Sequence, residues 1–166
     1  MRQLIVFFSM IMLIFSCNSA KNQVTKVAEI DSITKMILDT NFVFHARNAN
    51  PMAGGNVILN YNYTLTVKSD SIIGWLPYFG RSFSAPLNPS DGGVKFTTTR
   101  YKYDIQPNKK KSMYQIHIVP KDLGMFATVN DVQQIWMNVG TSGYATVQIV
   151  SNTRTPISYT GTIEKK

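Results

Sequence analysis

The chain has a single thiol, Cys17, and its surroundings point to a use for it. Arg2 gives a positive start, Leu4 to Phe15 is a nearly unbroken apolar run, and Ile14-Phe15-Ser16 leads straight into the cysteine. A membrane-spanning helix needs about twenty apolar residues. A shorter run behind a cation, ending at a small residue, reads as a secretion signal removed on maturation. An aliphatic, a variable and a small residue ahead of cysteine make the lipoprotein pattern, in which the sulfur takes a lipid and the bond before it is cut. An ordinary signal with an incidental or free thiol is the other reading. Secreted domains that use cysteine carry it in pairs, and a lone one at this position favours acylation. Each buried methylene contributes about 0.8 kcal/mol, so two or three acyl chains hold firmly where one is reversible.

The next densest chemistry is Trp75-Leu76-Pro77-Tyr78-Phe79-Gly80-Arg81. Pro77 fixes its own φ and biases Leu76 towards an extended shape, and Gly80 permits a sharp bend. As structure, this is an aromatic knot that turns the chain at a sheet corner. As a site, Trp75, Tyr78, Phe79 and Arg81 form a hydrophobic lip for an anionic, amphipathic ligand. Arginine meets a phosphate or carboxylate bidentately while an aromatic ring holds the apolar part.

Catalytic patterns are missing. The sequence has no glycine-rich phosphate loop, His-Glu-x-x-His, Cys-x-x-Cys or Gly-x-Ser-x-Gly elbow. His45 and His117 are the only histidines, and each stands in an expected strand without ligand-spaced neighbours. Asp70, Asp91, Asp122 and Asp131 fall in expected turns, where aspartate bonds nearby backbone. Asn88, Ser90 and Asp91 before Gly92-Gly93 lack the spacing and charge of a calcium loop. The expectation is therefore no cofactor, no metal and no catalysis. A hydrolase with a dispersed site, joining Asp70 or Asp91 to a histidine, is the weakest alternative.

The elements that must position these residues follow from periodicity. Residues 1–16 form the signal peptide, and 17–23 the lipidated cysteine with a short polar tether. Residues 24–166 form one β-rich domain, large enough for a core without disulfides. Val27, Ile30, Ile33 and Ile37 recur at helical spacing and predict one helix over Val24–Leu38, stopped by Asp39-Thr40-Asn41. From Phe42 the period is two. Val57, Leu59, Tyr61, Tyr63, Leu65 and Val67 share one parity, so a long strand should bury that face, then turn at Ser69-Asp70 into a hairpin with Ile72–Leu76. Val94–Thr99 and Arg100–Ile105 read as one bent strand whose alternation resets near Thr99. Strands are expected at Met113–Val119, Leu123–Val129, Gln133–Val139, Tyr144–Val150 and Ile157–Ile163. Many short strands with tight turns predict an all-β, mainly antiparallel fold with one N-terminal helix, as a sandwich or a curled, barrel-like sheet.

Several segments resemble a family of exported Bacteroides-group proteins described only as domain of unknown function 4251. They are Phe42-Val43-Phe44-His45-Ala46, the strand through Tyr63 and Val67, and Leu76 to Arg81. Ala85-Pro86, Asp91 to Phe96, Gly143-Tyr144-Ala145 and Ile157 to Gly161 complete the set. The resemblance covers nearly the whole mature domain. It implies export and a single domain, and it brings no catalytic residue.

Charge completes the reading. The 17 basic side chains become 16 when Arg2 leaves with the signal, against nine acidic ones. A basic exported domain suits anionic surfaces such as lipid headgroups or acidic glycans, while nucleic acid is not expected outside the cytoplasm. The expectation is a cell-envelope lipoprotein on the periplasmic face or cell surface. It would act as a non-catalytic binding or interaction module for a small molecule, lipid or glycan, or as an assembly partner of another envelope protein.

Overall fold

A computed structural model describes residue 30 and residues 32–83, 92–108, 112–123 and 131–166. Among these residues a short helix, α1 (residues 32–38), precedes nine strands. These are β1 Phe42–Pro51, β2 Val57–Val67, β3 Ile72–Leu76, β4 Val94–Thr98, β5 Tyr101–Asn108, β6 Met113–Pro120, β7 Val132–Gly140, β8 Tyr144–Ser151 and β9 Ile157–Lys165. All pairings are antiparallel, in the order β4-β3-β2-β1-β9-β8-β7-β6-β5. The outermost strands, β4 and β5, are consecutive in the chain, with only Thr99 and Arg100 between them. The sheet therefore curls until its edges meet at that corner. Of the two expected architectures the fold is the barrel-like one, nearly closed.

Alternation fills the interior. Phe42 and Phe44 on β1, Leu65 and Val67 on β2, Ile116 and Ile118 on β6, and Ile135, Met137 and Val139 on β7 are all buried. Ile33, Met36 and Ile37 of α1 join the same core, so the helix plugs the end of the barrel where β1 begins. It stops as expected. Thr40 takes a left-handed conformation, its N–H donates to the Ile37 carbonyl at 3.3 Å, and Asn41 N–H donates to Met36 at 3.1 Å. This is a Schellman closure of the last turn. Two tyrosine hydroxyls of β5 tie that end together. Tyr103 donates to the Ile37 carbonyl at 3.2 Å, and Tyr101 to the Lys68 carbonyl at 2.6 Å. Burial raises the pKa of both.

The corner between β4 and β5 has its own brace. Asp122 Oδ2 accepts the N–H groups of Thr99 and Arg100 at 2.8 and 3.1 Å, and the Thr99 hydroxyl at 3.1 Å. Its Oδ1 accepts the fully buried Thr98 hydroxyl. The alternation resets here, as expected: Val94, Phe96 and Thr98 point inward, then Tyr101, Tyr103 and Ile105. A corner between two strands replaces the single bent strand.

One parity expectation fails. Leu65 and Val67 are buried, but Tyr61 is 74% exposed. The register jumps from Ala46↔Tyr63 to Asn48↔Ile58, so four residues of β2 lie opposite Arg47 alone. The excess chain bulges outward and carries Tyr61 with it. Beside this bulge, β9 approaches β1 so closely that a Cβ on Gly161 would lie 1.9 Å from the His45 carbonyl oxygen.

Cys17 with its signal and tether, the first part of the predicted helix, Asp91, Lys109 to Lys111 and nearly all of the expected strand at Leu123–Val129 lie outside the described residues. Among the described residues no helix is long and apolar enough to cross a membrane.

Candidate functional site

The aromatic segment leaves β3 at Leu76 and crosses the end of the barrel opposite α1. Tyr159, buried on β9, donates its hydroxyl to the Pro77 carbonyl at 2.6 Å. Tyr78 is the hub. Its hydroxyl lies 2.8 Å from the Arg81 carbonyl, 3.0 Å from that of Thr155 and 2.9 Å from the Thr155 hydroxyl. Arg154, only 6% exposed, holds its guanidinium 5.2 Å above the Tyr78 ring and donates from Nη1 to the Gly93 carbonyl at 2.7 Å. Phe83 N–H donates to the Thr153 carbonyl and Thr155 N–H to that of Arg81, and Ser82 bridges Arg154. Asp131, also buried, accepts the N–H and hydroxyl of Thr153 and so pins the other half of the clamp. Gly80 is needed here for proximity: a Cβ would meet the Tyr78 hydroxyl at 2.5 Å. No left-handed φ is involved at this position.

The structure thus divides the four expected lip residues. Tyr78 is tied into the clamp and holds the loop in place. Phe79 and Arg81 are carried on that loop and stay exposed, as does Phe83 beyond them. Trp75 stands outward on β3, and its ring packs on Tyr63 at 5.4 Å, with Tyr61 at 6.1 Å from Tyr63.

A second surface was not anticipated. On the outer face of β5 to β8, Asp104, His117, Trp136 and Gln148 are register partners in one row, and Gln106, Gln115, Asn138 and Thr146 form the next. The His117 and Trp136 rings stack at 3.7 Å, 11° from parallel. Gln134 Oε1 lies 3.2 Å from His117 Nε2 and accepts Trp136 Nε1–H at 3.2 Å. Side chains of the two rows border a shallow groove of about 530 Å³. Its two charged groups cancel, with Lys102 Nζ 2.7 Å from Asp104 Oδ2.

Comparison with known proteins fits this architecture. A family model described as Domain of unknown function (DUF4251) matches residues 23–163. The chain belongs to the DUF4251 family. Its fold is similar to the crystal structure of a DUF4251 family protein from Bacteroides eggerthii, with a TM-score of 0.59 at 14% identity, covering 86% of this chain and 91% of that one. Comparison with curated proteins finds no match. The family resemblance read from the sequence is thereby shown, and at this identity the structural likeness concerns the fold.

In this DUF4251 domain the remaining titratable groups are dispersed. His45 Nδ1 lies 2.9 Å from Asn62 Oδ1, and its Nε2 is 3.8 Å from Glu164 Oε2. That is the one histidine–carboxylate contact within 4 Å among the described residues. It sits in a solvent-open hollow beside the β2 bulge, and at 3.8 Å the pair is not hydrogen-bonded. Asp70 accepts the Ser71 hydroxyl at 2.8 Å. Asp122 and Asp131 serve the turns described above. Among the described residues no group of three or more histidine, aspartate or glutamate side chains could hold a metal.

Proposed function

We propose that the mature protein is a lipid-anchored cell-envelope domain that binds a ligand on the outer surface of its barrel and performs no catalysis. The observation that carries this reading is the clamp between residues 77–83 and 151–155. A buried arginine, a buried aspartate and two tyrosine hydroxyls hold a surface loop rigidly, and the loop presents Phe79, Arg81 and Phe83 to solvent. Preorganised exposed groups bind at lower ordering cost than mobile ones. An apolar ring beside a guanidinium suits an amphipathic anion, such as a phosphate- or carboxylate-bearing lipid or glycan. The basic balance of the chain favours the same partners.

Native mass spectrometry of the full protein extracted from its own membranes tests this. The expected spectrum shows acyl mass on Cys17 and a non-covalent ligand that the Arg81→Ala variant loses. Repeated recovery of the bare polypeptide would sink both the anchor and the ligand. The competing reading, an assembly partner of another envelope protein, draws on the exposed rings of Tyr61 and Trp75, which flank the half-buried Tyr63. A single dominant protein crosslink in cells would favour it.

A further inference from the structure

The row pattern on β5 to β8 invites a more specific reading than the loop does. Most outward positions of an exposed sheet face carry charges or small polar groups that keep it solvated. Here the two rows hold amides at Gln106, Gln115, Asn138 and Gln148 around a tryptophan, with the one ion pair internally cancelled. Each amide offers two donors and an acceptor without net charge. The tryptophan is 42% exposed, although His117 covers one of its faces. The shared Gln134 oxygen holds both rings in a fixed pose.

We infer that this groove binds a short, neutral oligosaccharide. Three features match that chemistry. The negative face of an indole attracts the polarised C–H bonds on the flat side of a sugar ring. A ring of uncharged donors and acceptors pairs with hydroxyl groups, and a site built to hydrogen-bond hydroxyls discriminates strongly for them. The volume, about 530 Å³, lies in the range of small-molecule clefts. The neutrality of the groove stands against the basic balance of the whole chain and separates this site from the anion-binding lip at Arg81. The inference names a second ligand class for the outer-surface binding reading and rests on it.

The chain has two tryptophans, so a 15N-labelled full-length protein shows two indole N–H signals. The one absent in Trp136→Phe belongs to the groove. Titration with neutral hexasaccharides of glucose, mannose and xylose should shift that signal saturably with at least one of them. Trp136→Ala should weaken that binding by about tenfold or more, as truncation of a central aromatic anchor does, and Asn138→Ala by a smaller factor. Urea midpoints of both variants separate lost binding from lost fold. No saturable shift with any neutral sugar up to about 10 mM, a range that reaches even weak millimolar binding, overturns the inference. A response to acidic oligosaccharides alone, or binding that survives Trp136→Ala, overturns it as well. If the groove fails while a ligand still co-purifies with the wild-type protein, the binding reading stands and only the sugar site falls.

Discussion

Asp122 is the side chain on which barrel closure most directly depends, and Asp122→Asn tests that dependence. The carboxylate accepts four hydrogen bonds at the β4–β5 corner, two of them from backbone N–H groups. Partial desolvation pushes its pKa up, but the bonds from Thr98, Thr99 and Arg100 outweigh it and hold the group well below its ordinary 3.8. Asparagine keeps the shape and one acceptor, but it turns an NH2 group towards donors that lose their partner. Hydrogen bonds to a charged group contribute roughly 1.5–3 kcal/mol each when well shielded. This carboxylate is only partly buried, so the expected cost of the substitution is about 2–3 kcal/mol in all. For a domain of this size that lowers Tm by roughly 5–10 °C. The pH dependence is the sharper test. A carboxylate with a depressed folded pKa stabilises fully above its unfolded value and loses that contribution as pH falls through the folded one. The gap between wild type and Asp122→Asn should therefore be constant from neutral pH down to about pH 5 and close progressively below about pH 4. Urea denaturation of both proteins across that range measures it. Thr98→Val, which deletes a buried donor to the same carboxylate, should cost less in the Asp122→Asn background than in wild type. A wild-type–variant difference below about 0.5 kcal/mol at neutral pH, the level of an ordinary surface change, would refute the argument. So would a gap that persists unchanged into acid.

Two further outcomes follow from packing at other points. Gly161→Ala forces a methyl group into the His45 carbonyl, where only backbone movement makes room, so it should cost about 3 kcal/mol or more and lower the yield of folded protein; an unchanged denaturation midpoint would show that β1 and β9 separate freely. Arg154→Ala removes the Gly93 contact and the cation over Tyr78, and should cost about 2–3 kcal/mol and speed proteolysis within residues 77–83; a midpoint and cleavage pattern matching wild type would show that the clamp does not depend on it.

Much of this fold was legible because local periodicity and turn chemistry agree with it. The parity of Leu65 and Val67, the Ser69-Asp70 hairpin, the Asp39-Thr40-Asn41 helix stop and the reset between Thr98 and Tyr101 all follow from neighbouring residues. The aspartates expected to bond nearby backbone do otherwise: Asp122 and Asp131 accept N–H groups of Thr99, Arg100 and Thr153, 22 or 23 residues away, and Asp70 accepts the Ser71 hydroxyl. What escaped depends on pairing between distant strands. The Arg47 bulge that expels Tyr61 is a mismatch between β1 and β2, and neither strand shows it alone. The same holds for the sites. Tyr78 looks like a ligand contact until Arg154 and Thr155, remote in sequence, arrive against it. The Trp136 groove needs the register of four strands before Asp104, His117, Trp136 and Gln148 become a row. Its one local signal was the outward parity of Gln134, Trp136 and Asn138, an unusual concentration of amides beside an aromatic.

The place of β9 in the sheet order bears on how such a chain is made. It follows every other strand in sequence, yet it lies between β1 and β8 near the middle of the sheet. During synthesis from the N-terminus, the hairpins β1–β2, β2–β3, β5–β6, β6–β7 and β7–β8 can form as their residues emerge. Neither flank of β9 can pair until residues 157–165 arrive. Until then β1 and β8 present open edges, the feature through which nascent chains associate wrongly. The last ribbon to appear thus acts as a keystone, and the nascent chain is most in need of protection in the moments before it is laid.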